Sequence, residues 1–360
     1  MNRRWICGDV WMDILPSFDR PQLGLKMALL SDRFDVLVDM HFDGKSELTI
    51  WQSIGISKGI GPEPKLTVSD WINCVEFPLP DRPLPNKIRF NSLYIDYIDH
   101  SVIEFLRSNK QIWHRMGTNF ELFVFSVPLN DDWLPIWDVL AREILPIFAT
   151  NIRHLYVYDG NHLDNLRRHI SPTILTDLDQ LISITGDLLP DGIADDGPNT
   201  TADQALSKWL HTPTKNGQPK RFRRNIFFRP QNLEWVNNFK ETFLRATTSV
   251  SYNIQLYFRM ESTPNEQFEL VNEMTNEKLT LKQKSEEYGN HVDHWRTNDF
   301  ELEYNWLLKR CPIGETAPVK FDPLNNSCPN LNSVRFDLGG KHCIGPLSPP
   351  AVEEEEEELD

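Results

Sequence analysis

Between residues 5 and 39 apolar side chains return every three or four positions. Ile6, Val10, Trp11, Ile14 and Leu15 form a first group, Leu23, Leu25, Leu29 and Leu30 a second, and Phe34, Leu37 and Val38 a third. That spacing predicts three short helices. Pro16 ends the first, because a prolyl ring offers no N–H to the ladder and collides with the turn behind it. Asp19-Arg20-Pro21 opens the second, and Ser31 or Asp32 can cap the third. Three helices this short cannot bury so much apolar surface among themselves, so part of it is expected to meet a partner.

Beyond residue 45 the period changes, and short β-branched and aromatic runs alternate with helical patterns. Ser92 to Tyr97 reads as a strand, followed by a helix over Ser101 to Arg115. Phe120 to Ser126 is a second strand, with a helix from Pro135 to about Thr150 that Pro146 should kink. Arg153 to Asp159 is a third, closed by Asp159-Gly160 and followed by Leu163, Leu166, Ile174, Leu178 and Leu181 at helical spacing. A weaker strand lies near Leu181 to Thr185. Thr201 and Gln204 stand as a capping box ahead of Ala205, Leu206, Trp209 and Leu210. A strand at Asn225 to Arg229, a helix through Leu233, Val236, Phe239, Phe243 and Leu244, and a strand at Tyr252 to Arg259 complete the series.

The strand markers Leu93, Leu122, Leu155, Ile184, Ile226 and Leu256 are 29, 33, 29, 42 and 30 residues apart. Units of one strand and one helix at such a period predict parallel strands stacked in an irregular, leucine-rich-repeat-like array. An ordinary open α/β sheet is the alternative. Further on, Phe268 and Leu270 mirror Leu279 and Leu281 across Met274 to Glu277, the pattern of a β-hairpin. A polar loop over 284–298, a short helix with Trp306 and Leu307, and a last strand at Ser333 to Leu338 follow. The fold class is α+β or α/β, organised as a helical module (1–45), an alternating strand-helix region (46–345) and an acidic tail (346–360).

The order and spacing of Ile6, Asp9, Val10, Ile14, Leu15, Phe18, Leu23, Leu29, Leu30, Ser31, Arg33 and Phe34 resemble an F-box. Together with FELVNEMTNEKLTL and LLKRCPIGET, the chain resembles the expanded families of nematodes that join an F-box to an F-box-associated region. The resemblance implies a three-helix module that docks on the Skp adaptor, and through it a cullin, of a ubiquitin ligase. The rest of the chain would select an unknown protein substrate for ubiquitination. Ile6, Val10, Trp11, Ile14, Leu15, Leu23, Leu29, Leu30 and Phe34 are the implied adaptor contacts. Such a receptor is not an enzyme and needs no cofactor, and it works in the cytoplasm or nucleus. Cys7, where the family has a proline, and the shortened first helix motivate an alternative: an interaction scaffold that has lost its adaptor.

Composition changes this picture little. At 40% hydrophobic and 25% charged residues the chain has a globular composition. Seven of the fifteen net negative charges come from the run Glu353 to Asp360, expected to be solvated and disordered, which leaves the body mildly acidic at -8. That balance argues against nucleic acid as a partner, and no apolar run is long enough to cross a membrane. Asp9 and Asp13 interrupt the stretch a secretory signal would need. The five scattered cysteines read as reduced thiols.

The search for chemistry returns turn residues. Gly55, Gly59 and Gly61 lie in a Pro-rich loop without the Lys-Ser or Lys-Thr of a phosphate loop. His291 and His294 stand in a polar loop with no further metal ligand at suitable spacing, and Asp131-Asp132 and Asp195-Asp196 sit where Asp favours turns. One feature stands apart: Lys215, Lys220, Arg221, Arg223 and Arg224 cluster with Phe222, Phe227 and Phe228. It reads as a basic loop leading into a strand, with a patch for an acidic partner or nucleic acid as the alternative.

Overall fold

The helical pattern at the N-terminus is realised in short pieces. α1 (Gly8–Ile14) runs into a 3-10 turn at Leu15–Ser17 that holds Pro16. A π turn at Leu23–Met27 passes into a second 3-10 turn at Ala28–Leu30, and α2 (Asp32–Asp43) follows. Ser31 caps α2, its Oγ accepting from Phe34 N at 3.4 Å and its carbonyl from Asp35 N at 3.0 Å. Leu15, Leu23, Ala28, Leu37 and Val38 form the core of this module, with Trp11, Met12, Phe18, Met27 and Phe34 packed around it. The computed structural model describes residues 6–18, 22–43, 50–58, 61, 63–69, 74–84, 89–114, 118–123, 134–224, 234–259, 267–283, 303–315, 332–338 and 343–347.

The chain divides into two compact units, and both mix helix and sheet. The first comprises residues 1–115, 124–130 and 334–360. In it β1 (Ile50–Lys58), β2 (Pro64–Ser69) and β3 (Cys74–Pro78) form an antiparallel meander, while β4 (Arg89–Ile95) lies parallel to β1. β13 (Asn332–Asp337) neighbours β4. Alternation sets the buried face: Ile54 pairs with Val68 and Leu93, and Ile56 with Leu66 and Ile95. Gly55 is therefore a strand residue between Thr67 and Tyr94 and not part of a loop. α3 (His100–Ser108) is capped by Asp99, which accepts from Val102 N at 2.9 Å, and α4 (Lys110–His114) follows.

The second unit comprises residues 116–123 and 131–333. Its strands are β5 (Thr118–Phe123), β6 (Ile152–Asp159), β7 (Ser183–Asp187), β8 (Lys220–Arg224), β9 (Tyr252–Arg259), β10 (Phe268–Asn272), β11 (Glu277–Gln283) and β12 (Glu303–Pro312). They lie in the order β10-β11-β12-β9-β8-β7-β6-β5. β5 to β9 are parallel and follow chain order. β9, β12, β11 and β10 are antiparallel, and the predicted hairpin appears in register, with Phe268 opposite Leu281 and Leu270 opposite Leu279.

Helices fill the crossovers: α5 (Leu134–Val139), α6 (Leu145–Phe148), α7 (Gly160–His169), α8 (Ile174–Asp177), α9 (Ala202–Leu210) and α10 (Glu234–Arg245). The capping box of α9 forms, Gln204 N donating to Thr201 Oγ1 and Thr201 N to Gln204 Oε1. Pro146 falls in the first turn of α6, and the π turn Leu140–Ile144 before it takes up the misfit that a prolyl ring imposes on the turn behind.

Two elements differ from the sequence reading. The strand expected at 225–229 lies outside the described residues, and the basic segment read as a loop is itself strand β8 at Lys220–Arg224. Phe222 stands in register with Ile184 and Ile254. Trp306 and Leu307 lie in strand β12 rather than a helix, because Trp306, Leu308 and Arg310 alternate with Leu307, Lys309 and Cys311 and so pattern with period two. The polar loop 284–298 and the tail from 351 lie outside the described residues.

Candidate functional site

Two surfaces merit attention, one in each unit. In the helical module the nine residues expected to meet an adaptor separate into two sets. Leu15 and Leu23 are fully buried in the module's own core. Trp11, Ile14, Leu29 and Phe34 are half-buried, and Trp11 packs edge-on against Phe34 with centroids 4.8 Å apart. Ile6, Val10 and Leu30 are exposed, Leu30 to 62%. Val36 and Met40 join them, exposed and one helical turn apart on α2. Those two were missed, although their phase opposite Leu37 and Val38 was the signal. Arg33 Nη2 donates to Ile6 O at 2.6 Å, tying the segment before α1 to α2.

The second surface is on the sheet of the other unit. One row of paired residues crosses all eight strands: Phe120, Leu155, Ile184, Phe222, Ile254, Leu308, Leu281 and Phe268. This parity faces the helices. Phe120 meets Phe148, Lys220 lies over Trp209, and Tyr252 meets both Phe239 and His211. The opposite parity is polar. Its rows run His154, Ser183, Arg221, Asn253, Lys309 and Tyr156, Thr185, Arg223, Gln255, Leu307. Thr185, Asn253 and Gln255 of this mostly polar face are buried, so their polar groups depend on hydrogen bonds within the protein.

Hydrogen bonding organises that polar face. His154 Nε2 and Thr185 Oγ1 are 2.9 Å apart. Desolvation, reinforced by the charge of Arg223, pushes the His154 imidazole down to about 4, so it stays neutral at physiological pH. Asn253 is 2% exposed and its Oδ1 accepts no hydrogen bond. Arg221 is half-buried and makes no ion pair among the described residues. At the far edge Glu269 is paired with Lys282 at 3.7 Å.

The basic cluster found in the sequence is divided by strand alternation. Lys215 pairs with Asp179. Lys220 points to the helix side, where its amine donates to Trp209 O and lies 4.7 Å from the Trp209 ring centroid. Arg224 pairs with Asp187 at 2.7 Å. Only Arg221 and Arg223 remain on the polar face, while 227 and 228 lie outside the described residues.

Other candidate groups are structural. Asp195 Oδ1 accepts from Gly197 N at 3.1 Å and Asp196 Oδ2 from Thr176 Oγ1 at 3.1 Å, which is turn chemistry. His291, His294, Asp131 and Asp132 lie outside the described residues. Among the described residues no group of three or more His, Cys, Asp or Glu is arranged to hold a metal, and no helix is long and apolar enough to cross a membrane. Cys7, Cys311 and Cys343 take part in no disulfide. Set against known proteins, the chain matches no family model, no curated protein and no solved structure.

Proposed function

We propose that the chain is a non-catalytic F-box substrate receptor of a Skp-cullin-F-box ubiquitin ligase, working in the cytoplasm or nucleus. In this reading the N-terminal helices form the F-box and hold the Skp adaptor, the strand-helix series is an irregular leucine-rich-repeat-like array that holds the protein substrate, and other subunits supply the chemistry. The observation that carries it is the apolar exposure of the module: Ile6, Val10, Leu30, Val36 and Met40 all remain at the surface of about forty residues. Large apolar side chains exposed at that density are characteristic of a protein interface.

Co-purification with a Skp adaptor tests the reading. Wild type should bind, and Val10→Asp with Leu30→Asp should lose the complex, because each introduces a charge into a desolvated contact. Both positions are exposed in the free chain, so the variant should keep the wild-type circular dichroism. Absence of adaptor binding by wild type would favour a stand-alone interaction scaffold.

A further inference from the structure

We infer that one internal water molecule binds between His211, Tyr252 and Arg310, on the helix side of the second unit's sheet, and fastens the end of α9 to β9 and β12. The three side chains come from different elements. His211 follows the last residue of α9, Tyr252 opens β9, and Arg310 stands opposite Tyr252 on β12. The His211 and Tyr252 ring centroids are 5.5 Å apart, and the Arg310 guanidinium carbon lies 6.0 Å from the Tyr252 centroid. Each residue holds one buried polar atom that makes no hydrogen bond: His211 Nε2, Tyr252 Oη and Arg310 Nη1. Aromatic rings surround them, Phe239 at 6.0 Å from His211 and 6.2 Å from Tyr252, and Phe243 at 5.3 Å from Arg310. An unpaired polar atom in such surroundings is costly, and three on neighbouring side chains call for one shared partner.

The inventory of donors and acceptors selects the partner. His211 Nδ1 lies 2.8 Å from Ser207 O, a carbonyl that only accepts, so Nδ1 carries the ring proton. Burial keeps the ring neutral, which leaves Nε2 a bare acceptor. Arg310 spends Nε on Glu277, and Nη2 on Glu277 and Thr248 O, so the hydrogens of Nη1 are unspent. Burial likewise keeps the Tyr252 hydroxyl protonated, and the guanidinium lies beside it without an aligned bond between Oη and Nη1. The partner must therefore accept from Nη1 and Oη and donate to Nε2. Water does this with two lone pairs and one hydrogen, making about three hydrogen bonds, the usual number for a buried water. Chloride accepts twice but meets the lone pair of Nε2, and Glu277 already neutralises Arg310. The bridge lies where the sheet passes from parallel to antiparallel pairing, β8 to β9 and β9 to β12.

The test uses the full chain, in urea titrations and in a crystal structure. Tyr252→Phe removes the hydroxyl and keeps the ring. It should lower the folding equilibrium constant roughly three- to tenfold with wild-type circular dichroism, because a bridging water loses one of its partners. An unpaired hydroxyl predicts the opposite sign, since deleting a buried polar atom without a partner relieves its desolvation, so an unchanged or higher constant would overturn the inference. His211→Leu supplies the second arm. If the two residues share one water, the loss caused by Tyr252→Phe should shrink to less than about twofold in the His211→Leu background, as coupled sites require. Losses that simply multiply would mean that Tyr252 bonds Arg310 directly, and the inference fails. In the crystal, density for a single oxygen is expected at about 2.7–3.2 Å from Nε2, Oη and Nη1. An anomalous peak there in crystals grown from bromide salt, or a direct Tyr252–His211 hydrogen bond, counts against it.

Discussion

Replacing Glu277 by Gln should destabilise the second unit by about 3–5 kcal/mol, the usual cost of leaving one member of a buried ion pair without its partner. Both Glu277 and Arg310 have fully buried side chains. Glu277 Oε2 accepts from Arg310 Nε at 3.0 Å and Nη2 at 2.7 Å, while Oε1 accepts from Ser249 Oγ at 2.9 Å and Val250 N at 2.8 Å. Arg310 Nη2 also donates to Thr248 O at 2.9 Å, and the guanidinium carbon lies 5.3 Å from the Phe243 ring. The pair thus clamps the segment entering β9 to β11 and β12, where the sheet changes from parallel to antiparallel. Gln keeps an oxygen for Val250 N but strands the Arg310 charge among aromatic rings. For a unit of this size the loss corresponds to a fall in melting temperature of roughly 6–20 °C, read by circular dichroism. Arg310→Met should cost a similar amount, and the double variant should cost less than the two added, with a coupling of about 2 kcal/mol or more. A Glu277→Gln protein melting within a degree or so of wild type would refute the reasoning.

Three further outcomes follow from the same unit. A methyl group at Gly186 would sit 2.4 Å from Val157 O and 2.8 Å from Val157 Cγ2, and since the first is backbone it cannot swing away; Gly186→Ala should lower stability by about 1–3 kcal/mol, read as a lower urea midpoint with an unchanged m-value. Burial pushes the Lys220 amine down to about 7, so from 7 to its unfolded value near 10.5 the unfolded chain holds a proton that the fold does not; stability should rise with pH across that window, by roughly 1.4 kcal/mol per unit at most, and Lys220→Met should flatten the slope. Burial likewise lowers His211 and His154 to about 4, so stability should be lost as pH falls from 6.5 toward 4, and His154→Gln should remove part of that loss in urea titrations at pH 7 and pH 4.5.

The sequence was most informative where one local signal had one outcome. The Thr201-Gln204 box, the mirrored leucines of the 268–283 hairpin and the period-two run of β9 all depend on neighbours a few residues away, and each appears where it was expected. The meander β1-β2-β3 was missed because Gly55 and the surrounding prolines imitate a loop. Only cross-strand pairing with Thr67 and Tyr94 makes Gly55 a strand residue. For the helical module the sequence named apolar residues without saying which were core. Ile14 and Leu15 are adjacent, yet only Leu15 is fully buried, and a three-dimensional neighbour, the Leu37–Val38 pair on α2, decides that.

The segment Lys220-Arg221-Phe222-Arg223-Arg224 shows why the polar face of the sheet was only half legible. Its period-two pattern carries one apolar residue, Phe222, which is too little to signal a strand by hydrophobicity, and four basic positions in a short stretch resemble a surface loop. The assignment turns on where Lys220 goes. Its amine reaches Trp209 O, supplied by the end of α9 eleven residues earlier, and that contact is possible only if Lys220, Phe222 and Arg224 share the helix side. Once they do, strand geometry sends Arg221 and Arg223 to the opposite face, beside His154, Thr185 and Asn253. The same alternation therefore removes two cations from the apparent basic patch and places the other two on the opposite, mostly polar face.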